Sequence, residues 1–165
     1  MDFKTSKTLY SSARISKYVH ACSDDKRQAM QLYRYYLRLC QRFFGVLHLF
    51  EVILRNAINN HYSTQLADNN WIINHATNGK LLSDDEEMIK DTEAGFRKHG
   101  VYSNDKMIAA FTMGFWTFLF TKKNYKKGGK TLLRIFPNKA KGKNQADVYN
   151  FSSKITQNLV HFYIK

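Results

Sequence analysis

A carboxylate, a guanidinium, three amides and an imidazole fall within the eleven residues EVILRNAINNH that end at His61. The chemistry they could carry is phosphodiester cleavage in RNA. A histidine such as His61 moves a proton near neutral pH. An arginine such as Arg55 stabilises charge that develops on a phosphate. The ribose 2′-hydroxyl is then the nucleophile, and the reaction asks for no metal and no cofactor. Arg55, Asn56 and His61 form the candidate catalytic set, with Glu51 and Asn59 as a supporting polar cluster. Glu51, Arg55 and Asn59 are four apart, so a helix puts them in one row. That row is also compatible with a structural ladder, because buried polar groups are costly unless paired. His61 lies roughly 120° around a straight helix from Arg55 and equally fits an exposed place at a helix end.

The element that must present these groups is a long helix. Ser23, Asp24 and Asp25 offer acceptors for the free amides of a first turn. About 40 residues without proline follow. Tyr33, Leu37, Cys40, Phe44, Leu47, Glu51, Leu54, Ile58 and Tyr62 recur at spacings of three and four, the mark of a helical face. A second stripe, Tyr36, Leu39, Phe43, Val46, Phe50, Ile53 and Ala57, runs beside it. Between residues 43 and 58 the helix is apolar over most of its circumference, which predicts a central, buried position. Ser11 opens an earlier helix. Ser83 to Glu86 opens another that His99 and Gly100 close, and Ser103 to Asp105 opens a third, expected to carry the apolar stretch 107–120 as one buried helix. A short helix is expected before Pro137, and a last one from about Gln145. Strand signals are weak. The fold class is all-α, a helical bundle with a long central helix, and the whole chain 1–165 reads as one domain.

Charge supplies the second functional signal. Lys and Arg number 26 against 13 Asp and Glu, a net +13, an excess that points to an anionic partner. Residues 122–143 hold eight Lys and one Arg with no acid. Lys122, Lys123, Lys126, Lys127, Lys130, Arg134, Lys139, Lys141 and Lys143 are the candidate RNA contacts, with Tyr125 and Phe136 available for stacking. The alternative is a solvated loop. Gly128-Gly129-Lys130 lacks the rest of a phosphate-binding loop. Two cysteines, Cys22 and Cys40, do not make a disulfide scaffold, and no His/Cys spacing suggests zinc. The longest apolar stretch is too short to span a bilayer, and the N-terminus lacks the apolar core of a signal peptide. The expectation is a cytoplasmic protein with no membrane partner. A central helix apolar nearly all round also suggests a homodimer.

Four blocks give the chain a family resemblance: YSSARISKY at 10–18, AMQLYRYYLRLCQRFFGVLHLFEVILRNAINNHY at 29–62, MGFWTFLFTKKNY at 113–125 and RIFPNKAKG at 134–142. In order and spacing they resemble the Abi-like (abortive infection) phage-defence proteins, and Arg55, Asn56 and His61 are similar to the signature of HEPN-type ribonucleases. The resemblance implies a HEPN-like helical fold, RNA-directed action in phage defence and homodimers. In the Abi-like layout the stronger Arg-Asn…His motif follows the FPNKAKG block. Here that region reads DVYNFSSKITQNLVHFYIK, with Gln157, Asn158 and His161 but no Arg. The chain is therefore expected to be C-terminally truncated. It is either a metal-independent endoribonuclease, a degenerate remnant of one, or a non-catalytic RNA-binding or antitoxin-partner module.

Overall fold

The computed structural model describes residues 3–77 and 79–138. The expected last helix, together with Lys139, Lys141, Lys143 and His161, lies outside the described residues. Within them the secondary structure is helical, with no strand. The helices are α1 (Phe3–Leu9), α2 (Ser12–Ala21), α3 (Lys26–Leu66), α4 (Trp71–Asn74), α5 (Glu86–Lys98), α6 (Asn104–Ala110), α7 (Met113–Phe118) and α8 (Lys122–Lys127). Two 3-10 turns, Ser83–Asp85 and Leu132–Ile135, accompany them. The chain divides into two compact units, Met1–Phe50 and Glu51–Lys165. The 41-residue α3 contributes its first part to one and its last four turns to the other.

Local chemistry explains where the helices begin and end. Asp25 starts α3: its Oδ1 accepts from the Arg27 and Gln28 amides at 2.8 and 3.1 Å, satisfying donors that have no partner within the helix. Ser11 and Ser103 cap α2 and α6 in the same way, accepting from the Arg14 and Lys106 amides. Helix α5 carries Glu86 and Glu87 in its first turn and Arg97 and Lys98 in its last, the favourable order for the helix dipole. Ion pairs Glu86–Lys90 and Glu93–Arg97 line its surface. Gly100, at φ +64°, ends it, and the Val101 amide returns to the Phe96 carbonyl at 3.0 Å.

The smaller unit has a small core. Ile15, Met30 and Tyr33 are buried, with Phe3, Tyr10, Tyr18, Val19 and Leu37 packed against them. Tyr33 meets the edges of Tyr10 and Tyr18 at 5.2 and 5.0 Å between ring centroids, a favourable aromatic geometry. Cys22 and Cys40 are free and half-buried. The larger unit holds most of the buried apolar residues. Leu54, Ile58 and Tyr62 of α3 are buried there with Trp71, Ile72, Ile89, Met107, Trp116, Phe120 and Leu132. Tyr62 and Trp71 lie 4.9 Å apart.

Two expectations need correction. The stretch 107–120 is not one helix. At Phe111 the backbone turns extended (ψ 138°), and α7 restarts from Thr112. The Phe111 carbonyl is taken by the buried Trp116 indole N–H at 3.2 Å, so a side-chain bond replaces a helical one and lets Phe111, Phe115 and Trp116 all be buried. Nor is α3 buried through its middle. Leu39, Phe44, Val46 and Leu49 are between 54 and 67% exposed. Apolar periodicity set the helix but not its cover.

The turn after α8 constrains the larger unit most tightly. A Cβ on Gly128 would collide with the Tyr62 hydroxyl and lie 3.1 Å from Cζ of that ring. Tyr62 is fully buried, and its hydroxyl has no hydrogen-bond partner among the described residues. Gly128→Ala is therefore expected to destabilise by about 1–3 kcal/mol, read as a fall in Tm of roughly 2–8 °C. Tyr62→Phe, which removes only the unpartnered hydroxyl, is expected to be neutral or stabilising. The double variant should lose less than the sum, and strictly additive losses would exclude this contact.

Candidate functional site

One cleft of the larger unit gathers polar groups from the last turns of α3 and from the segment after α8. Its volume is about 550 Å³, and it is lined by Ala57, Asn60, His61, Thr64, Gln65, Thr131, Arg134 and Ile135. The α3 residues lie on one face because 57, 60/61 and 64/65 are a helical turn apart. The facing residues arrive through a tight reversal. Gly129 and Lys130 both adopt left-handed backbone, at φ +78° and +62°, and the Lys130 amide closes back on the Tyr125 carbonyl at 2.9 Å. The Tyr125 hydroxyl also donates to the Lys130 carbonyl. Thr131 then enters against α3, and the 3-10 turn Leu132–Ile135 carries Arg134.

A hydrogen-bond chain joins the two walls of the cleft. Gln65 Nε2 donates to the Gly128 carbonyl at 3.3 Å, which turns its Oε1 toward Thr131. The Thr131 hydroxyl has one proton and meets two carbonyl acceptors, Gln65 Oε1 and the Gly128 oxygen. Thr131 Oγ1 also lies 3.0 Å from His61 Nε2, so the imidazole joins the same chain. Burial, the largest influence, pushes the His61 pKa down from its ordinary value. The Gln65 side chain opposes this, and the Arg134 charge adds to it. The net shift favours the neutral imidazole, the form able to accept a proton. Arg134 is exposed and makes no ion pair among the described residues.

The sequence-predicted residues divide among several roles. His61 lines the cleft; Arg55 and Asn56 do not. Arg55 is half-buried, with Nε shielded from solvent and without a hydrogen-bond partner among the described residues, and Asn56 is exposed. Asn59 serves packing: its Oδ1 accepts from the Trp71 indole at 3.0 Å and from Ser63 at 3.5 Å. Glu51 is half-buried. In the basic run, Lys123 donates to Asp84 at 2.6 Å. Lys127 lies 3.7 Å from the same carboxylate and donates to Ser83 at 2.8 Å. These bonds, the Lys123 hydrogen bond first, hold the Asp84 pKa below its ordinary value. Lys122, Lys126 and Lys130 are exposed, and Arg134 faces the cleft. Gln65 and Thr131 escaped the sequence reading. The Gly128-Gly129 pair was the available signal, since paired glycines mark a close backbone approach.

Among the described residues no three His, Cys, Asp or Glu side chains gather as metal ligands. No helix among them is long and apolar enough to cross a membrane. No protein-family model, curated protein or solved structure matches the chain.

The His61 titration tests this arrangement. Its midpoint, followed by the imidazole NMR signals, is expected below 6.5, and Arg134→Ala is expected to raise it by removing a repelling charge. Because the folded-state value is depressed, the stability this group contributes is complete above the unfolded pKa near 6.5 and declines as the pH falls below it. A midpoint above 6.5 in the native chain would contradict the assignment.

Proposed function

We propose that this protein acts on RNA as a metal-independent endoribonuclease, with His61 as general base and Arg134 as the charge stabiliser. The observation that carries the reading is an imidazole and an exposed guanidinium on the wall of one cleft. In this mechanism the neutral His61 imidazole accepts the proton of a ribose 2′-hydroxyl. The 2′-oxygen attacks the adjacent phosphorus, the bond to the 5′-oxygen breaks, and that oxygen takes a proton from solvent in the open cleft. Arg134 balances the charge gathering on the non-bridging oxygens, a contribution worth more in a partly desolvated site. The products are a 2′,3′-cyclic phosphate and a 5′-hydroxyl.

The net charge of +13 supports an RNA substrate, as do the exposed Lys122, Lys126 and Lys130 next in sequence to the cleft residues Thr131 and Arg134. Such contacts attract phosphate without reading sequence. The Abi-like, HEPN-related resemblance supports the same reading and extends it to phage defence and a homodimer.

Incubation of the full chain with labelled single-stranded RNA in EDTA is the test. Cleavage to cyclic-phosphate ends is expected. His61→Ala is expected to lower the rate by about 10²–10⁴-fold, and Arg134→Ala by about 10²–10³-fold. Arg55→Ala separates the helix arginine from the cleft: a rate loss with unchanged Tm puts Arg55 in the chemistry, whereas a fall in Tm with a retained rate assigns it to packing. Salt-dependent binding without cleavage would replace the enzyme by a non-catalytic RNA-binding module. Neither binding nor cleavage would end the RNA reading.

A further inference from the structure

The smaller unit carries a surface that the cleft does not use. Along α3, Leu32, Tyr36, Leu39, Phe43, Val46 and Phe50 alternate at spacings of four and three. That is a seven-residue repeat with an apolar residue at every a and d position, the pattern of a coiled-coil seam. The neighbouring stripe Tyr33, Leu37, Cys40, Phe44 and Leu47 has the same spacing, and Tyr33 and Leu37 of it pack into the chain's own core, so exposure is what sets the seam apart. Leu32, Tyr36, Leu39 and Val46 are 41, 46, 54 and 64% exposed, and large apolar side chains exposed in a row mark an interaction surface.

The charges select the kind of partner. Residues 26–50 contain Lys26, Arg27, Arg34, Arg38 and Arg42 and no acid, and all five are exposed. Arg42 holds the g position beside Phe43, where coiled coils choose partners by charge, and Arg38 lies one turn before it on the same edge. Neither forms an ion pair among the described residues. A second copy would bring Arg38 and Arg42 to the seam, and no acid from residues 26–50 to meet them. An acidic helix would neutralise them, and complementary charge both steers encounter and rejects wrong partners.

We propose that residues 32–50 of α3 form a docking seam for an acidic amphipathic helix of another protein, gripped by the heptad side chains and oriented by Arg38 and Arg42. The seam and its charges are independent of the cleft and of any cleavage.

The experiment uses the full chain and two synthetic helical peptides, each with Leu at a and d, one with Glu and one with Lys at e and g. Titration calorimetry is expected to show the Glu peptide binding at least about tenfold more tightly than the Lys peptide, with the preference shrinking as salt rises. Arg38→Glu/Arg42→Glu is expected to reverse the preference. Leu39→Ser/Val46→Ser is expected to abolish binding of the Glu peptide. Both variants alter exposed positions, and unchanged circular dichroism and Tm establish that they fold. Equal affinity for the two peptides, or binding of neither, would overturn the proposal. So would light scattering of the chain alone showing a dimer that the seam variants dissociate. Loss of RNA binding in Arg38→Glu/Arg42→Glu, with peptide preference unchanged, would likewise overturn it by assigning these cations to nucleic acid.

Discussion

The backbone of Gly128 lies against the Tyr62 ring more closely than any residue with a side chain permits. This approach sets the spacing between the last turns of α3 and the segment that follows α8. Gln65 can then reach the Gly128 carbonyl, Thr131 can stand between Gln65 and His61, and Arg134 arrives at the cleft rim one 3-10 turn later. Gly129 reinforces the constraint: a Cβ there would come within 3.1 Å of Gln65 Nε2, and its backbone is left-handed. Packing interiors are close to crystalline in density, so a shift of a few tenths of an ångström at this turn would move every polar group of the cleft.

The same segment shows how an excess of like charge is managed. Asp84, at the turn before α5, takes Lys123 and Lys127 together. Two of the cations that composition alone assigned to an anionic partner thus hold α8 to a neighbouring turn. Exposed pairs of this kind stabilise little on their own, but they remove positive charge from one face of α8. The cations outside this cluster include Lys122, Lys126 and Lys130. A count of basic residues measures the field of a molecule and not the part of that field available to a ligand.

Much of the architecture is legible in the sequence because it is written in local terms. Asp25, Ser103 and Gly100 act within a turn of where they stand, and the periodicity of α3 and the charge order of α5 require no knowledge of distant residues. The break at Phe111 is not local, since it depends on an indole N–H five residues later choosing a backbone carbonyl over solvent. The exposure of Leu39 and Val46 is illegible for a related reason: periodicity states that a face is apolar, not what covers it. The site divides along the same line. His61 stands out by residue type, whereas its partner Thr131 is 70 residues away. Arg55 is close to His61 in sequence, but six positions on a helix carry it well around the axis.

Helix α3 has one uninterrupted backbone but is supported unequally along its length. Among the described residues four buried apolar side chains fall in the smaller unit and twenty in the larger, so the two ends of one helix rest on very different amounts of apolar burial. Hydrogen exchange along it would therefore be graded, with amides near Met30 opening in events that leave those near Ile58 closed. Were the two ends to open separately, a single melting temperature would average over both events. Substitutions near residue 33 and near residue 62 would move different parts of the unfolding curve.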